Sequence, residues 1–317
     1  MGISGASTAS QDLGRDARAL IERVMGDGRA IAAESPLVFE TGRIRPPGRL
    51  VALSDGNAVL SACAILVREV RTAESTTRVG LIGWVSTAPE ARGRGLASRI
   101  LAEAEQQLRS RGCRFALLWA NDAEFYRRRG YTEVGGEVDL PLDASTVERL
   151  PVWSDTRRLD PDRDAAATLS LYRTHTTRCR RTLAEHAALL HTPGMRARVA
   201  LADGRVVAYA CEGRGGDLQG VVHEWAGATK AVLGLQRELA SDAIRRSGSA
   251  FVIAPSLEND VVRAWMQSGL RVEIGNLGMA RSLHDEDMNE LLPPSRFDGL
   301  LSASLASGFM LWGLDSI

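Results

Sequence analysis

The chain has 317 residues, of which 44% are hydrophobic and 25% charged, proportions typical of a globular protein with about two domains. Its 39 basic and 39 acidic residues cancel, which argues against nucleic acid or an anionic membrane as the main partner. The 4 cysteines and 5 histidines are scattered without metal-ligand spacing, so we expect buried free thiols and no metal site.

The N-terminal segment, residues 1–10, is rich in glycine, serine and alanine, a composition that predicts disorder. It lacks the charged start and apolar core of a signal peptide. No apolar run along the chain reaches membrane-spanning length. We therefore expect a cytoplasmic protein that does not enter membranes.

Apolar residues recur on one side of Gln11–Met25, which predicts a helix. The rest of the first half alternates between strands and helices. Predicted strands are Leu50–Leu53, Ala58–Val67, Val79–Thr87, Phe115–Trp119, Tyr131–Val134 and Glu137–Leu140. Predicted helices begin at Leu96, ending at Gly112, and at Ala123, ending at Gly130.

The second half repeats this order of elements. Predicted strands are Arg196–Ala202, Arg205–Glu212, Leu218–Trp225 and Phe251–Ala254, and predicted helices are Thr229–Arg246 and Glu258–Ser268. Gly112 and Phe115 recur 136 residues later, as Gly248 and Phe251. We interpret this as two similar domains in tandem. The alternative is a coincidence, because helix-ending glycines followed by strands are common in α/β proteins.

The predicted fold is therefore α/β, with two tandem domains that each have a central mixed β-sheet flanked by helices. We place the first domain at residues 11–150, the second at 151–283 and a C-terminal tail at 284–317. Apolar residues over Phe309–Leu314 predict a docking strand in this tail.

A strand, a loop rich in glycine and arginine, and a helix start follow one another over residues 85–98. Glycines let backbone N–H groups turn toward an anion, and the helix N-terminus supplies a partial positive charge. Arg92 and Arg94 add full charges, although a solvated surface position is the alternative for both. The second half has Ala228, Thr229 and Ala231 at the corresponding places, so it lacks this site.

The loop Arg92-Gly93-Arg94-Gly95-Leu96-Ala97 resembles the Arg/Gln-x-x-Gly-x-Gly/Ala loop of the GCN5-related N-acetyltransferases, which bind acetyl-CoA. The segment Val85–Pro89 resembles that family's fourth strand and its closing proline. Asn121 follows the next strand, as in many family members. The run Phe125–Tyr131 resembles the family's F-Y-x-x-x-G-F/Y helix motif. The resemblance covers about Leu50–Leu142 strongly.

The resemblance implies an acetyl-CoA site in the first domain only. The backbone of Val85, Ser86 and Thr87 would bond the pantetheine arm, and amides of Gly93, Gly95, Leu96 and Ala97 would hold the pyrophosphate. Arg92 and Arg94 would contact phosphates. Ser98 would either add a hydroxyl contact or cap the turn, and Asn121 would either bond the pantetheine arm or cap its loop.

Tyr126 matches the family tyrosine near the thioester sulfur, where a phenol can protonate the leaving thiolate. A core aromatic is the alternative. The strand Val79–Thr87 carries no carboxylate, which puts in doubt a carboxylate on this strand as the base that deprotonates the amine. Glu124 and, through a docked tail, Asp315 or the terminal carboxylate are further candidates. We expect Trp119 to pack in the core and Trp84 to lie near the site.

These features predict an acetyl-CoA-dependent N-acetyltransferase that acts on an unidentified small-molecule or peptide amine by direct attack in a ternary complex. A non-catalytic acyl-CoA-binding regulatory protein is the alternative, and an acyltransferase that uses a longer acyl chain is the third possibility. A homo-oligomer is compatible with the sequence.

Overall fold

The computed structural model describes residues 4–7, 11–27, 29–73, 75–120, 122–134, 137–255, 259–275, 278–284 and 311–317. These residues form two mixed sheets with helices packed on them. Within them, no helix is long and apolar enough to cross a membrane. The four cysteines are buried and free, as predicted.

Fifteen strands are described: β1 Ser4–Ser7, β2 Arg49–Ser54, β3 Val59–Arg71, β4 Thr76–Thr87, β5 Phe115–Leu118, β6 Thr132–Val134, β7 Glu137–Leu142, β8 Thr156–Arg158, β9 Arg178–Cys179, β10 Arg196–Ala202, β11 Arg205–Arg214, β12 Asp217–Gly227, β13 Ala250–Ala254, β14 Glu273–Gly275 and β15 Gly278–Ser282.

The described helices are α1 Gln11–Met25, α2 Ile31–Glu34, α3 Leu96–Arg109, α4 Ala123–Arg127, α5 Pro161–Tyr172, α6 Leu183–Leu190, α7 Thr229–Ser247 and α8 Asp260–Gln267. Short 3-10 turns lie at Pro89–Ala91, Val147–Arg149 and Gly313–Asp315.

The first sheet has the order β1-β2-β3-β4-β5-β15-β6, with β9 paired to the far end of β3. The second has the order β14-β7-β13-β12-β11-β10-β8. Each sheet thus contains a strand from the other half of the chain: β15 lies between β5 and β6, and β7 lies between β13 and β14. The two predicted mixed sheets are confirmed, whereas a boundary at residue 150 stays a prediction, because both sheets draw strands from both sides of it.

Most predicted elements are present with bounds that differ by a few residues. The expectation of disorder for residues 1–10 is corrected at Ser4–Ser7, which pair antiparallel with β2 at the edge of the sheet, and residues 1–3 and 8–10 lie outside the described residues. The strand predicted over Phe115–Trp119 ends at Leu118, and the Trp119 side chain is 37% exposed rather than buried in the core.

Helix α3 brings the first sheet and the predicted loop together. Its apolar face, which includes Leu96, Ile100 and Leu108, is buried against the sheet. A Cβ at Gly80 of β4 would lie 2.5 Å from Leu108, so glycine at this position permits the close approach of helix and strand. Since α3 begins directly after the loop, this packing fixes the loop beside β4.

The tail is also a correction. Phe309 and Met310 lie outside the described residues, and Leu311–Leu314 form no strand. They lead instead into the buried 3-10 turn Gly313–Asp315. The turn is held by ion pairs in place of a strand ladder: Asp315 accepts hydrogen bonds from Arg68 at 2.7 Å and from Arg181 at 2.8 Å.

Candidate active site

The predicted anion loop has the backbone shape that an anion site requires. Gly93 and Gly95 have φ angles of +75° and +71°, in the left-handed region that favours glycine. Gly95 is the N-cap of α3 and provides no side-chain cap, so the first N–H groups of the helix point out of the loop. A Cβ at either glycine would meet nothing within 4 Å. Arg92 and Arg94 are exposed beside this open space, Leu96 is buried, and Ala97 is half-buried.

The central strands β4 and β5 pair over only part of the length of β4, which leaves a gap between them on the way to this loop. The parallel strands β4 and β5 pair at Val79, Gly80 and Leu81, and the pairing then stops although β4 continues to Thr87. The backbone of the remaining part of β4 therefore has no partner strand on its β5 side among the described residues. On the other side, Ser86 and Thr87 are fastened to β3, where the Ser61 hydroxyl lies 2.9 Å from the Ser86 carbonyl and 3.0 Å from Thr87 Oγ1.

A bulge interrupts β4 within the gap. The register with β3 shifts between Ala62 and Ala64, opposite Trp84, whose φ angle is +55°. Gly83, Trp84 and Val85 are half-buried, whereas Ile82 and Ser86 on either side are buried. The strand is thus partly exposed at the bulge, and we call the residues Gly83, Trp84 and Val85 the β4 window.

Tyr126 lies near Cys63, the β3 residue opposite the bulge. Its helix α4 is capped by Asp122, whose side chain accepts a hydrogen bond from the Phe125 backbone N–H at 3.1 Å. The Tyr126 ring makes edge contacts with Phe125 and Tyr131 at centroid distances of 5.0 and 5.8 Å. Burial raises the pKa of the Tyr126 phenol, and the Cys63 thiol on the bulged part of β3 raises it further, whereas Arg129 lowers it. A phenol with a raised pKa keeps its proton at neutral pH and can donate it.

Arg129 is a residue that the sequence analysis missed, because Arg127-Arg128-Arg129 resembles a solvated helix face. Arg129 is half-buried, its guanidinium lies 3.5 Å from the Phe125 ring centroid, and its Nε donates to Ser98 Oγ at 3.1 Å. Ser98 therefore does not cap the helix. Its hydroxyl oxygen accepts from Arg129 and holds that cation at the first turn of α3. The aromatic residue four positions before Arg129 was the available signal.

Neither side-chain candidate for the base fits the site. Glu124 is exposed and paired with Arg128 at 2.9 Å. Asp315 is fully buried and is bonded to Arg68, Arg181 and Tyr172, and the two guanidinium groups hold its pKa well below its usual range. Asn121 lies outside the described residues.

The second sheet has closed the corresponding gap. Its parallel strands β12 and β13 pair only at Val221 and Val222, yet Trp225 reaches across and donates its indole N–H to the Ile253 carbonyl at 2.9 Å. Trp265 and Trp312 pack on Trp225 at centroid distances of 6.4 and 5.2 Å. Helix α7 begins after Ala228, and the glycine before it, Gly227, has a φ of +126° but no open space, since a Cβ there would lie 2.2 Å from the Val207 carbonyl oxygen. No metal-binding group of His, Cys, Asp or Glu occurs among the residues described in either sheet.

Solved structures share this fold over most of the chain. One is a conserved Enterococcus faecalis protein of unknown function, described as a probable N-acyltransferase, with 15% identity, a TM-score of 0.69, and coverage of 93% of this chain and 76% of that one. A GCN5-related N-acetyltransferase from Kribbella flavida has 19% identity, a TM-score of 0.61, and coverage of 89% and 72%. Eis1 from Mycobacterium abscessus has 15% identity, a TM-score of 0.61, and coverage of 94% and 77%.

The sequence itself gives an independent match. None of the curated proteins compared with it is similar. Residues 12–134, however, match the family model described as an acetyltransferase (GNAT) domain, and this stretch contains the loop, the β4 window and Tyr126. Residues 12–134 are therefore similar to an acetyltransferase (GNAT) domain, and the chain as a whole shares its fold with the solved structures.

Proposed function

We propose that the protein is an acetyl-CoA-dependent N-acetyltransferase that transfers the acetyl group directly to an amine in a ternary complex. One observation carries the proposal: β4 loses its β5 partner after Leu81 and its free edge leads into the open loop at Gly93 and Gly95. The Tyr126 phenol, which interacts with Cys63 opposite the β4 bulge, supports it. The family of residues 12–134 supports an acyltransferase.

The residues present fit acetyl-CoA. Free N–H groups at the start of α3, open space above Gly93 and Gly95, and the exposed Arg92 and Arg94 suit a pyrophosphate. The backbone of Val85, Ser86 and Thr87 on the unpaired edge of β4 suits the amides of a pantetheine arm, which would add to the sheet like a short strand. Arg129, fixed by Ser98, adds a cation at the same helix start.

Acetyl-CoA supplies a thioester whose carbonyl carbon bonds to the amine nitrogen while its bond to sulfur breaks. Tyr126 donates its phenolic proton to the departing sulfur. The acceptor nitrogen releases its own proton to water or to the terminal carboxylate named above as a candidate base, since β4 bears no carboxylate and Asp315 is enclosed by arginines. The window at Gly83–Val85 holds the amine against the thioester, so positioning supplies a large part of the rate.

The test combines binding and turnover. Thermal unfolding is followed with acetyl-CoA and with longer acyl-CoAs, and release of free CoA thiol is followed with a panel of small-molecule and peptide amines. We expect stabilisation by acetyl-CoA and CoA release that depends on the amine. Stabilisation without release on any amine would instead indicate a regulatory acyl-CoA-binding protein, and turnover confined to longer acyl-CoAs would correct the donor.

A further inference from the structure

Residues 311–317, which we call the latch, pack on a group of histidines. The side chains of Leu311, Trp312 and Leu314 are buried, and the 3-10 turn of the latch lies on β12. At its other end Ile317 packs on Gly83 of the β4 window. The latch therefore joins the second sheet to the strand that borders the proposed site.

His223 on β12 faces the latch backbone with the edge of its ring. A Cβ at Gly313 would overlap His223 Nδ1, so glycine permits this approach. His223 Nε2 lies 3.0 Å from the Gly213 carbonyl oxygen, which can only accept, so Nε2 carries the proton of the neutral ring. Nδ1 is buried without a hydrogen-bond partner among the described residues. A second proton, on Nδ1, would thus find no acceptor while the latch is docked.

His186 on α6 supports the latch through an arginine. Arg181 donates to Asp315 of the latch at 2.8 Å and, from Nη1, to His186 Nδ1 at 3.1 Å. Because a guanidinium cannot accept, His186 Nδ1 is the acceptor, and Nε2 carries the proton, 3.0 Å from the Thr168 hydroxyl. A second proton on His186 would therefore point at the cation that holds Asp315.

A third histidine stacks on the latch. The His175 ring lies 4.2 Å from the Trp312 ring between centroids, and its Nε2 lies 2.8 Å from the Trp225 carbonyl oxygen. Burial lowers the pKa of His175 to about 4. Since the face of an indole attracts a cation, a proton on His175 should oppose docking less than one on His223 or His186.

Charges of both signs surround His223. Arg214 at the end of β11 opposes a second proton, whereas Glu212 and Glu224 favour one. Burial outweighs the two carboxylates, so the pKa of His223 is lowered. His223 is therefore neutral while the latch covers it.

The surroundings of His186 act in the same direction. Burial first, and then the Arg181 charge, lower its pKa to about 4, and Arg173 adds to this. Glu224 and Asp315 oppose the shift, but both carboxylates are paired with Arg181. His186 is therefore also neutral in the docked state.

We propose that the latch is acid-sensitive: protonation of His223 and His186 releases residues 311–317 from β12 and uncovers Gly83 in mildly acidic solution, while both sheets stay folded. His223 Nδ1 reaches water once Gly313 leaves, and Arg181 keeps Glu224 when it loses Asp315. Release thus accommodates the protons without opening a sheet. The inference goes beyond the proposed reaction and concerns access to the β4 window.

The sign follows from the two states. Docking lowers the pKa of each histidine, so docking is favoured above the ordinary value of about 6.5 and weakened as the pH falls below it. At pH 5, each histidine that is neutral when docked and has its ordinary pKa when released favours release by about thirtyfold. The pKa of Asp315 is held well below its usual range, so this carboxylate does not produce the response between pH 7.5 and pH 5.

Amide hydrogen exchange, corrected for intrinsic rates, measures release of the latch. Protection of a peptide containing residues 311–317 is compared at pH 7.5 and pH 5 with that of a peptide from α7. We expect latch protection to fall by about thirtyfold or more, with α7 unchanged. A constant latch protection, or an equal fall in both peptides, would overturn the inference.

His223→Gln and His186→Asn test the two sensors. The glutamine can still donate to the Gly213 carbonyl, and the asparagine carbonyl can still accept from Arg181, but neither side chain takes up a proton in this range. Each variant should reduce the pH response at least tenfold, and the double variant should retain only the smaller response of His175. An undiminished response in the folded double variant would refute the assignment.

Two further variants calibrate the measurement. His191→Gln is the matched control, because His191 bonds to Asp162 at 2.8 Å rather than to the latch, and it should keep the full response. Gly313→Ala adds the Cβ that overlaps His223, so its latch peptide should exchange rapidly at both pH values. A latch in Gly313→Ala that is as protected as in the unmodified protein would contradict its docking on His223.

Discussion

The two sheets show how one arrangement can be left open for chemistry or closed for packing. In both, a pair of parallel strands separates after two or three residue pairs. In the first sheet the rest of β4 has no partner strand on that side among the described residues, carries a bulge and leads into the glycine loop. In the second, Trp225 bonds the Ile253 carbonyl across the gap, and Trp265 and Trp312 cover it. A backbone carbonyl left without a strand partner needs another hydrogen-bond donor. Where a side chain of the protein supplies that donor, as Trp225 does, no ligand can bind to the strand edge.

The largest expected effect concerns the contact that joins the two regions. Asp315→Asn removes one charge from a buried cluster and leaves Arg68 and Arg181 without their shared carboxylate, so the free energy of unfolding should fall by about 3–5 kcal/mol. Denaturant unfolding at neutral pH measures this loss. Asp162→Asn, which removes an exposed carboxylate, is the control and should cost under about 0.5 kcal/mol.

The same cluster predicts a pH dependence. The pKa of Asp315 is lower in the folded than in the unfolded protein, so its contribution is complete above the unfolded value of about 4 and is lost as the pH falls below it. Between pH 5 and pH 3, stability should therefore fall more steeply in the unmodified protein than in Asp315→Asn. Parallel curves would contradict the ion-pair assignment.

Tyr126→Phe tests whether the reaction takes place at the gap between β4 and β5 in the first sheet. Loss of the phenolic proton should lower kcat about 100-fold, with little change in the stabilisation by acetyl-CoA, since the ring contacts with Phe125 and Tyr131 remain. Initial rates and thermal shifts measure the two quantities. Trp265→Phe, at the corresponding place in the second half, should leave the kcat of the folded protein unchanged. Equal turnover in Tyr126→Phe, with chemistry rate-limiting, would remove its role as an acid.

Trp225→Phe tests whether the second gap is closed by the indole. The Ile253 carbonyl would lose its donor, and we expect a loss of about 1–3 kcal/mol in the free energy of unfolding. Calorimetry with and without acetyl-CoA should show that the variant still binds a single equivalent. A second equivalent would mean that the tryptophan alone keeps the second sheet from binding the donor.

The smallest effect comes from a matched pair of glycines. Gly95 and Gly248 have φ angles of +71° and +84°, and a Cβ at either meets open space. Alanine at either position should cost about 1–2 kcal/mol of stability through backbone strain. Only Gly95→Ala should also weaken acetyl-CoA binding, by about tenfold, because only Gly95 lies in the anion loop. Equal affinities in the two variants, measured by calorimetry, would contradict a phosphate role for the loop.

Local patterns in the sequence predicted most of the first sheet. Helix α1 has the predicted bounds, and the loop before Leu96 has its positive φ angles where glycines occur. Helix α5 was missed although Asp160 and Pro161 form an ordinary start signal, with the Asp160 side chain accepting from two backbone N–H groups. Helix α1 and the glycine loop depend on neighbours in sequence, which is why they could be predicted, and the signal for α5 was of the same local kind.

Features that depend on distant partners could not be predicted. The alternation in β7 would suit either sheet, and β15 has the sequence Gly-Met-Ala-Arg-Ser without an apolar pattern. The partners of Asp315, Arg68 and Arg181, lie 247 and 134 residues away, and nothing near Asp315 points to them. The apolar run before Asp315 predicted a strand, but burial of Trp312 and Leu314 around a charge cluster satisfies it equally well.

The strand exchange determines how this protein could be divided. A fragment ending near residue 150 would lack β15, leaving β5 and β6 without the strand between them, while the other fragment would lack β7. Each fragment expressed alone should therefore expose a strand-wide slot and aggregate, whereas co-expression should let each insert its strand into the other. The proposed acetyltransferase activity should therefore return only when both fragments are present together.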